Sequence, residues 1–209
     1  MRSTTRHNLM ETGKPNVGII ILAAGNSSRL GEPKQLLTFR NKTLIRHIVE
    51  TAVEVAGEKV IVVTGSSAAL IENELAGLPC RTTFNPHWLE GMASSIVLGV
   101  TVLKDTDPDI TGCILAVSDQ PFVTAEIFQN LIAGANFDAA IVASSYGNTI
   151  GTPVFFSKSY FEQLLQLKGN EGAKKLILAH KSEVRSLPFP LGTVDIDTQE
   201  DYQNLLRTS

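Results

Sequence analysis

The segment that most constrains the fold is an apolar strand that runs directly into a loop of small and polar residues. Residues Val17–Ala23 have the length and composition of a buried strand. The loop that follows contains Gly25 and Gly31, which permit tight turns and close approach of the backbone to a ligand. It also carries Arg29 and Lys34, which supply positive charge. Together these features predict a site for phosphate groups at the carboxyl end of the strand.

Two well-known phosphate loops do not fit this segment. A Walker A loop needs a lysine directly after its second glycine, whereas Glu32 follows Gly31. The dinucleotide fingerprint needs a second glycine two residues after the first, and position 27 is a serine. The segment is therefore a phosphate loop of a third kind, and a nicotinamide dehydrogenase is disfavoured.

The rest of the chain alternates short apolar runs with amphipathic segments, which predicts a three-layer α/β/α, Rossmann-like fold with a mainly parallel sheet. The predicted strands cover residues 17–23, 59–64, 81–84, 113–117, 138–143, 152–156 and 193–196. The predicted helices cover residues 43–55, 67–75, 91–103, 125–133, 158–167, 171–180 and 198–206. In such sheets ligands bind beyond the carboxyl ends of the strands, so the loops at that edge are the candidates for function.

Bulk properties narrow the class of protein. The 209 residues suit one domain, which we place at residues 16–209, after a polar and patternless lead-in at residues 1–15 that we expect to be disordered. A net charge of −3 argues against a nucleic-acid polymer as partner, and no apolar run is long enough to span a membrane. Two cysteines without CxxC spacing support neither a zinc site nor a disulfide framework, so we expect a cytoplasmic protein.

Two acidic positions are candidate metal ligands. Asp119 follows the predicted strand 113–117 in a tight loop fixed by Pro121. A carboxylate at this position suits Mg²⁺ as a ligand. Alternatively, it caps the turn. Asp195 lies on the predicted strand 193–196, and Asp197 directly follows it. Because they are two positions apart, both side chains would point to the same face of the sheet. Asp197 also directly precedes a predicted helix, where the alternative role is to cap that helix.

The loop sequence LAAGNSSRLGEPK, residues 22–34, resembles the signature of nucleotidyltransferases that use a nucleoside triphosphate and release pyrophosphate. Within that superfamily it is most similar to the molybdenum cofactor cytidylyltransferases of the MobA/MocA-like group. The resemblance runs from Val17 to Leu206 with its motifs in order, and it implies a fold of the nucleotide-diphospho-sugar transferase type.

The resemblance also implies roles for individual residues. Arg29 would hold the β- and γ-phosphates, Lys34 would lie by the α-phosphate, and Asp119 and Asp197 would bind Mg²⁺. The segment from Asn85 to Ser95 is by itself an ordinary turn before a helix, but it resembles the family's base- and ribose-binding segment, with Ser94 as an alternative to Ser95. The residues expected to contact the nucleotide are Leu22, Ala23, Ala24, Gly25, Ser27, Gly65, Gly91 and Ser95.

The activity implied is transfer of CMP from CTP to the phosphate of molybdopterin that already carries molybdenum. The preference for CTP depends mainly on Ala24, where guanylyltransferases of the superfamily usually have a second glycine. The alternatives are a molybdenum cofactor guanylyltransferase, another sugar- or alcohol-phosphate nucleotidyltransferase, and a non-catalytic carrier of nucleotide or cofactor. A molybdoenzyme or its chaperone is a further candidate partner.

Overall fold

The computed structural model describes residues 15–27, 30–135 and 140–208, and its centre is a seven-stranded sheet. The strands are β1 (Val17–Ala23), β2 (Thr38–Phe39), β3 (Lys42–Thr43), β4 (Val60–Thr64), β5 (Arg81–Phe84), β6 (Gly112–Val117), β7 (Ile141–Tyr146), β8 (Thr149–Ser157) and β9 (Val184–Pro188). The helices are α1 (Leu44–Ala56), α2 (Ala68–Glu74), α3 (Met92–Thr106), α4 (Ala125–Ala133), α5 (Phe161–Leu165), α6 (Ala173–Ala179) and α7 (Gln199–Arg207). The predicted lead-in lies outside the described residues except for residue 15.

The strand order in the sheet is β5-β4-β1-β6-β8-β7-β9. Strand β1 pairs in parallel with β4 on one side and with β6 on the other, while β8 runs antiparallel to both of its neighbours. Strands β2 and β3 form a separate two-stranded ribbon. The mainly parallel sheet predicted from the sequence is confirmed.

The sheet is covered by helices on both faces. Because successive side chains of a strand point to opposite faces, each strand contributes to both apolar layers. In β1, Ile19 and Ile21 enter one apolar cluster, which includes residues of α1 and α4, whereas Ile20 enters a second cluster with α3, α5 and α6. All three isoleucines are fully buried. This explains why β1 reads as a continuous apolar run, and it confirms the three-layer arrangement.

The predicted last strand, residues 193–196, is wrong. The chain forms a 3-10 turn at Pro190–Thr193 and continues without strand pairing to α7. Val194 and Ile196 pack instead in a small cluster with Leu30 and Phe39, away from the sheet core. The last strand is β9, which was not predicted because it is a largely exposed edge strand without an apolar run.

Among the residues that the structure describes, no helix combines the length and the apolar character that crossing a membrane requires.

Candidate active site

The strand register brings three loops to one edge of the sheet. Near the carboxyl end of β1, Ala23 is level with Thr64 of β4, and Leu22 is level with Val117 of β6. The loops that follow these strands therefore start side by side. This places the segment that carries Lys34 next to the segment that carries Asp119.

Lys34 is the charged centre of this edge. Its Nζ donates to Oδ2 of Asp119 at 2.5 Å and to Oδ1 of Asp197 at 2.8 Å. The side chains of Lys34 and Asp119 are only 17% and 16% exposed, so this pair is shielded from water far more than a surface ion pair. Burial alone would lower the pKa of Lys34, but the charges and hydrogen bonds of Asp119 and Asp197 outweigh it and raise that pKa above its ordinary value. Lys34 is therefore a fixed cation at neutral pH.

The backbone at Asp197 is held by the start of α7. Thr198 and Asp201 form a reciprocal capping box, in which Thr198 Oγ1 accepts from the N–H of Asp201. Oδ2 of Asp201 accepts from the N–H groups of Thr198 and Asp197, at 2.8 and 3.2 Å. The helix begins at Gln199, one residue later than predicted, so Thr198 is the capping residue and Asp197 precedes the cap.

Two cavities meet at Lys34 and Asp119. The first, which we call the loop cavity, has a volume of about 400 Å³ and is also lined by Ala24, Gly25, Gln35, Trp88, Gly91, Ser95 and Asn170. The second, which we call the hairpin cavity, has a volume of about 630 Å³ and is also lined by Tyr146, Gly147, Asn148, Thr149, Thr152, Gly192, Asp195 and Asp197. A ligand in either cavity would touch the same lysine and the same aspartate.

The first turn of α3 presents a serine hydroxyl to the loop cavity. Asn85 is buried, and its Nδ2 donates to Oγ of Ser94 and to Oγ of Ser95, at 2.8 and 3.0 Å. Ser94 in turn donates to the carbonyls of His87 and Gly91. Of these two serines, only Ser95 both lines the cavity and keeps its hydroxyl hydrogen for a ligand, among the hydrogen bonds of the described residues.

Two glycines are required by close packing around this cavity. Gly91 has a φ of 109°, and a Cβ there would meet the carbonyl of Gly169 and the side chain of Asn170. A Cβ on Gly65 would overlap Ala24, because the loop after β4 lies directly against the loop after β1. Both positions therefore exclude larger residues for steric reasons.

The sequence profile of the MobA-like NTP transferase domain matches residues 19–184. The chain belongs to this family. It contains a MobA-like NTP transferase domain, and the resemblance to the MobA/MocA-like group is confirmed.

The chain is also similar to individual proteins. The purine catabolism protein PucB of Bacillus subtilis is 27% identical over 207 residues, which cover 90% of this chain and 95% of PucB. The bifunctional protein GlmU of Francisella philomiragia is 28% identical over 138 residues, 65% of this chain. The chain spans only 29% of the length of that GlmU protein.

Solved structures of related proteins have the same architecture. The Rv0371c homologue from Mycobacterium sp. strain JC1 is 33% identical, with a TM-score of 0.76 over 92% of this chain and 96% of that chain. Rv0371c of Mycobacterium tuberculosis H37Rv in complex with manganese is 26% identical, with a TM-score of 0.74 over 93% of this chain and 100% of that chain.

In this MobA-like transferase, the predicted nucleotide contacts divide into two groups. The residues that line the loop cavity are Leu22, Ala24, Gly25, Gly91 and Ser95. Three predicted contacts are absent from the lining as far as the described chain extends, namely Ala23, Ser27 and Gly65. They contact other residues of the loop instead: Ala23 and Ser27 through hydrogen bonds, and Gly65 by packing against Ala24. Arg29 lies outside the described residues.

Several residues of this transferase site were not predicted from the sequence. Gln35 and Trp88 line the loop cavity, and Gln120 lines the hairpin cavity. Gln35 directly follows Lys34, which was the only local signal for it. Residues 146–152, which the sequence indicates as an active-site loop, do line the hairpin cavity in part, but they form the β7–β8 hairpin, in which Tyr146 ends β7.

Proposed function

We propose that this nucleotidyltransferase uses Mg²⁺ to transfer CMP from CTP to the phosphate of a molybdenum-carrying molybdopterin, with release of pyrophosphate. The observation that carries the proposal is that Lys34 and Asp119 line both cavities. A triphosphate in the loop cavity and an acceptor phosphate in the hairpin cavity would therefore meet at one charged cluster. Placing two reactants at one point is the main contribution that an enzyme makes to phosphoryl transfer.

The reaction needs no covalent intermediate with the protein. An oxygen of the acceptor phosphate forms a bond to the α-phosphorus, and the bond from that phosphorus to the pyrophosphate oxygen breaks. Negative charge grows on the α-phosphoryl oxygens during this exchange, and the Lys34 ammonium is the group that would stabilise it. Arg29, from the same loop, is proposed to hold the departing pyrophosphate.

The residues at the cluster fit a divalent cation. Asp119 and Asp197 already share one cation, the ammonium of Lys34. Oδ1 of Asp119 is buried and accepts no hydrogen bond from the described residues, so it can serve a metal. A pair of carboxylates suits Mg²⁺, since this ion commonly binds one or two carboxylates and completes its shell with phosphates and water. When bound, Mg²⁺ would neutralise phosphate charge.

Two observations support the proposed substrates. Ala24 lines the loop cavity and carries one methyl group more than the glycine usual in guanylyltransferases, which would favour the smaller pyrimidine base to a modest extent. Next to the hairpin cavity lies a mostly apolar recess of about 200 Å³, formed in part by Leu22, Ile96, Leu115 and Ile150. A recess of this kind suits a flat heterocycle better than a sugar.

The test is pyrophosphate release with Mg²⁺ and molybdenum-loaded molybdopterin, with CTP, GTP, ATP and UTP supplied in parallel. We expect release with CTP and loss of release in Lys34→Ala. Lys42→Ala removes a surface lysine that pairs with Glu50 and serves as the matched control. Release with GTP alone would overturn the base assignment, and release only with sugar or alcohol phosphates would overturn the acceptor assignment.

A further inference from the structure

Gln35 is buried beneath the phosphate loop, although it directly follows the charged Lys34. Both residues lie in the 3-10 turn Lys34–Leu36, and Gln35 is 1% exposed. Its Nε2 donates to the carbonyl of Ala23 at 3.2 Å and to the carbonyl of Gly25 at 3.0 Å. One glutamine amide therefore ties together the end of β1 and the start of the loop.

Ser66, after β4, holds the same stretch from a second side. Its N–H donates to the carbonyl of Ala24 at 3.1 Å, and its Oγ donates to the carbonyl of Gly25 at 3.0 Å. Three successive carbonyls of the phosphate loop thus accept hydrogen bonds from groups of the protein. The carbonyl of Gly25 is shared by Gln35 and Ser66.

This arrangement sets the direction of the backbone amides. In a planar trans peptide, the N–H points opposite to the carbonyl of the preceding residue. The N–H of Gly25 is therefore directed away from Ser66, and the N–H of Asn26 is directed away from Gln35 and Ser66. Neither of these N–H groups donates a hydrogen bond to another described residue. Oriented amides of this kind bind phosphate oxygens.

We infer that Gln35 and Ser66 are positioning residues that hold residues 23–26 in the conformation that binds the triphosphate. Neither side chain needs to touch the reacting atoms. Gln35 also connects this loop to Lys34, the candidate catalytic residue, because the two are adjacent in the chain. Lys34 in turn donates to Asp119 and Asp197. The inference rests on the proposed use of the loop cavity for a triphosphate, but not on which base or acceptor is used.

The test compares Gln35→Met, Ser66→Ala and the double variant by isothermal titration calorimetry. The ligands are inorganic tripolyphosphate and CTP, each with Mg²⁺ and without acceptor. Loss of one hydrogen bond typically weakens binding by a few fold to about tenfold, so we expect about tenfold weaker binding of both ligands for Gln35→Met, which loses two, and about threefold for Ser66→Ala, which loses one. Because the two side chains share the carbonyl of Gly25, we expect the double variant to lose more than the product of the single losses.

Two controls separate positioning from general damage. Gln166→Met changes an exposed glutamine at the end of α5 and should leave both affinities unchanged. Ser66 is exposed, so Ser66→Ala tests the inference even if the buried Gln35→Met variant does not fold. In the pyrophosphate-release assay, a positioning role predicts a higher KM for CTP with less than about a threefold change in kcat.

The inference is overturned if folded variants bind tripolyphosphate as tightly as the wild type does. It is also overturned if CTP binding falls while tripolyphosphate binding does not, because the side chains would then serve the base. A wild-type protein that bound tripolyphosphate without transferring CMP would contradict the proposed function alone. A wild-type protein that bound neither ligand would contradict both.

Discussion

Lys34 donates a 2.5 Å hydrogen bond to Asp119 across 85 positions of the chain, and the same ammonium reaches Asp197 across 163 positions. Three segments that follow or flank the sheet edge therefore converge on one cation. The cluster lies where the loop cavity and the hairpin cavity meet. The candidate site is therefore located by the contact among Lys34, Asp119 and Asp197, and not by any one of these residues alone.

Removal of the Lys34 charge is predicted to abolish most of the activity. Lys34→Ala should lower kcat at least about a hundredfold, by comparison with the loss of other groups that stabilise transition-state charge. Circular dichroism should show a folded protein, and the surface variant Lys42→Ala should keep wild-type turnover. Near-normal turnover in a folded Lys34→Ala protein would exclude Lys34 from the reaction.

The two carboxylates are predicted to bind the divalent cation jointly. Asp119→Asn and Asp197→Asn each keep an oxygen but remove a charge, so each should weaken Mn²⁺ binding in the presence of CTP by about tenfold or more. Electron paramagnetic resonance of free Mn²⁺ measures this directly. Asp105→Asn, at an exposed position of α3, is the matched control. Unchanged Mn²⁺ affinity in both site variants would place the metal elsewhere.

The hydroxyl of Ser95, rather than that of Ser94, is predicted to contact the nucleotide. Ser95→Ala should weaken CTP binding by about fivefold, the usual effect of one lost hydrogen bond. Ser94 donates within its own turn, so Ser94→Ala should mainly lower the melting temperature. Calorimetric titration with CTP and a thermal melt of each variant distinguish the two serines, and the opposite pattern would assign the contact to Ser94.

Protonation of His47 is predicted to destabilise the fold. Its ring is partly buried in α1, and its Nε2–H donates to the carbonyl of Val123 at 3.1 Å. Burial, which outweighs the effect of that carbonyl, lowers the pKa of His47 below the ordinary value of 6.5. The unfolded chain therefore binds the proton more readily, and the free energy of unfolding should fall as the pH drops below about 6.5.

The measurement for His47 is urea unfolding of wild type and His47→Gln between about pH 5 and pH 7.5. We expect the variant to lose part of the decline in stability at low pH, because it has no imidazole to protonate. An equally steep decline in the variant would show that other groups cause it.

Much of the fold could be predicted from local sequence. The bounds of β1, β5 and α4 were predicted correctly, because apolar runs, turn residues and amphipathic spacing are properties of neighbouring residues. Strand β9 could not be predicted, since its residues are largely exposed and it is a strand only through its pairing with β7. Val194 and Ile196 alternate with polar residues, and this pattern predicted a strand. The same pattern arises when the two apolar side chains pack into a small separate cluster, as they do here.

The sequence by itself determined the mainly parallel α/β fold and the family, because a strand followed by a motif-bearing loop is a local pattern. It also predicted Lys34, Asp119 and Asp197 individually as site residues. Only the tertiary structure decided that one ammonium joins both carboxylates, that two cavities share this cluster, and that Gln35 holds the phosphate loop from within. The physical reason is that parallel pairing brings the ends of β1, β4 and β6 to one edge, and contacts between their loops join residues that are far apart in the chain.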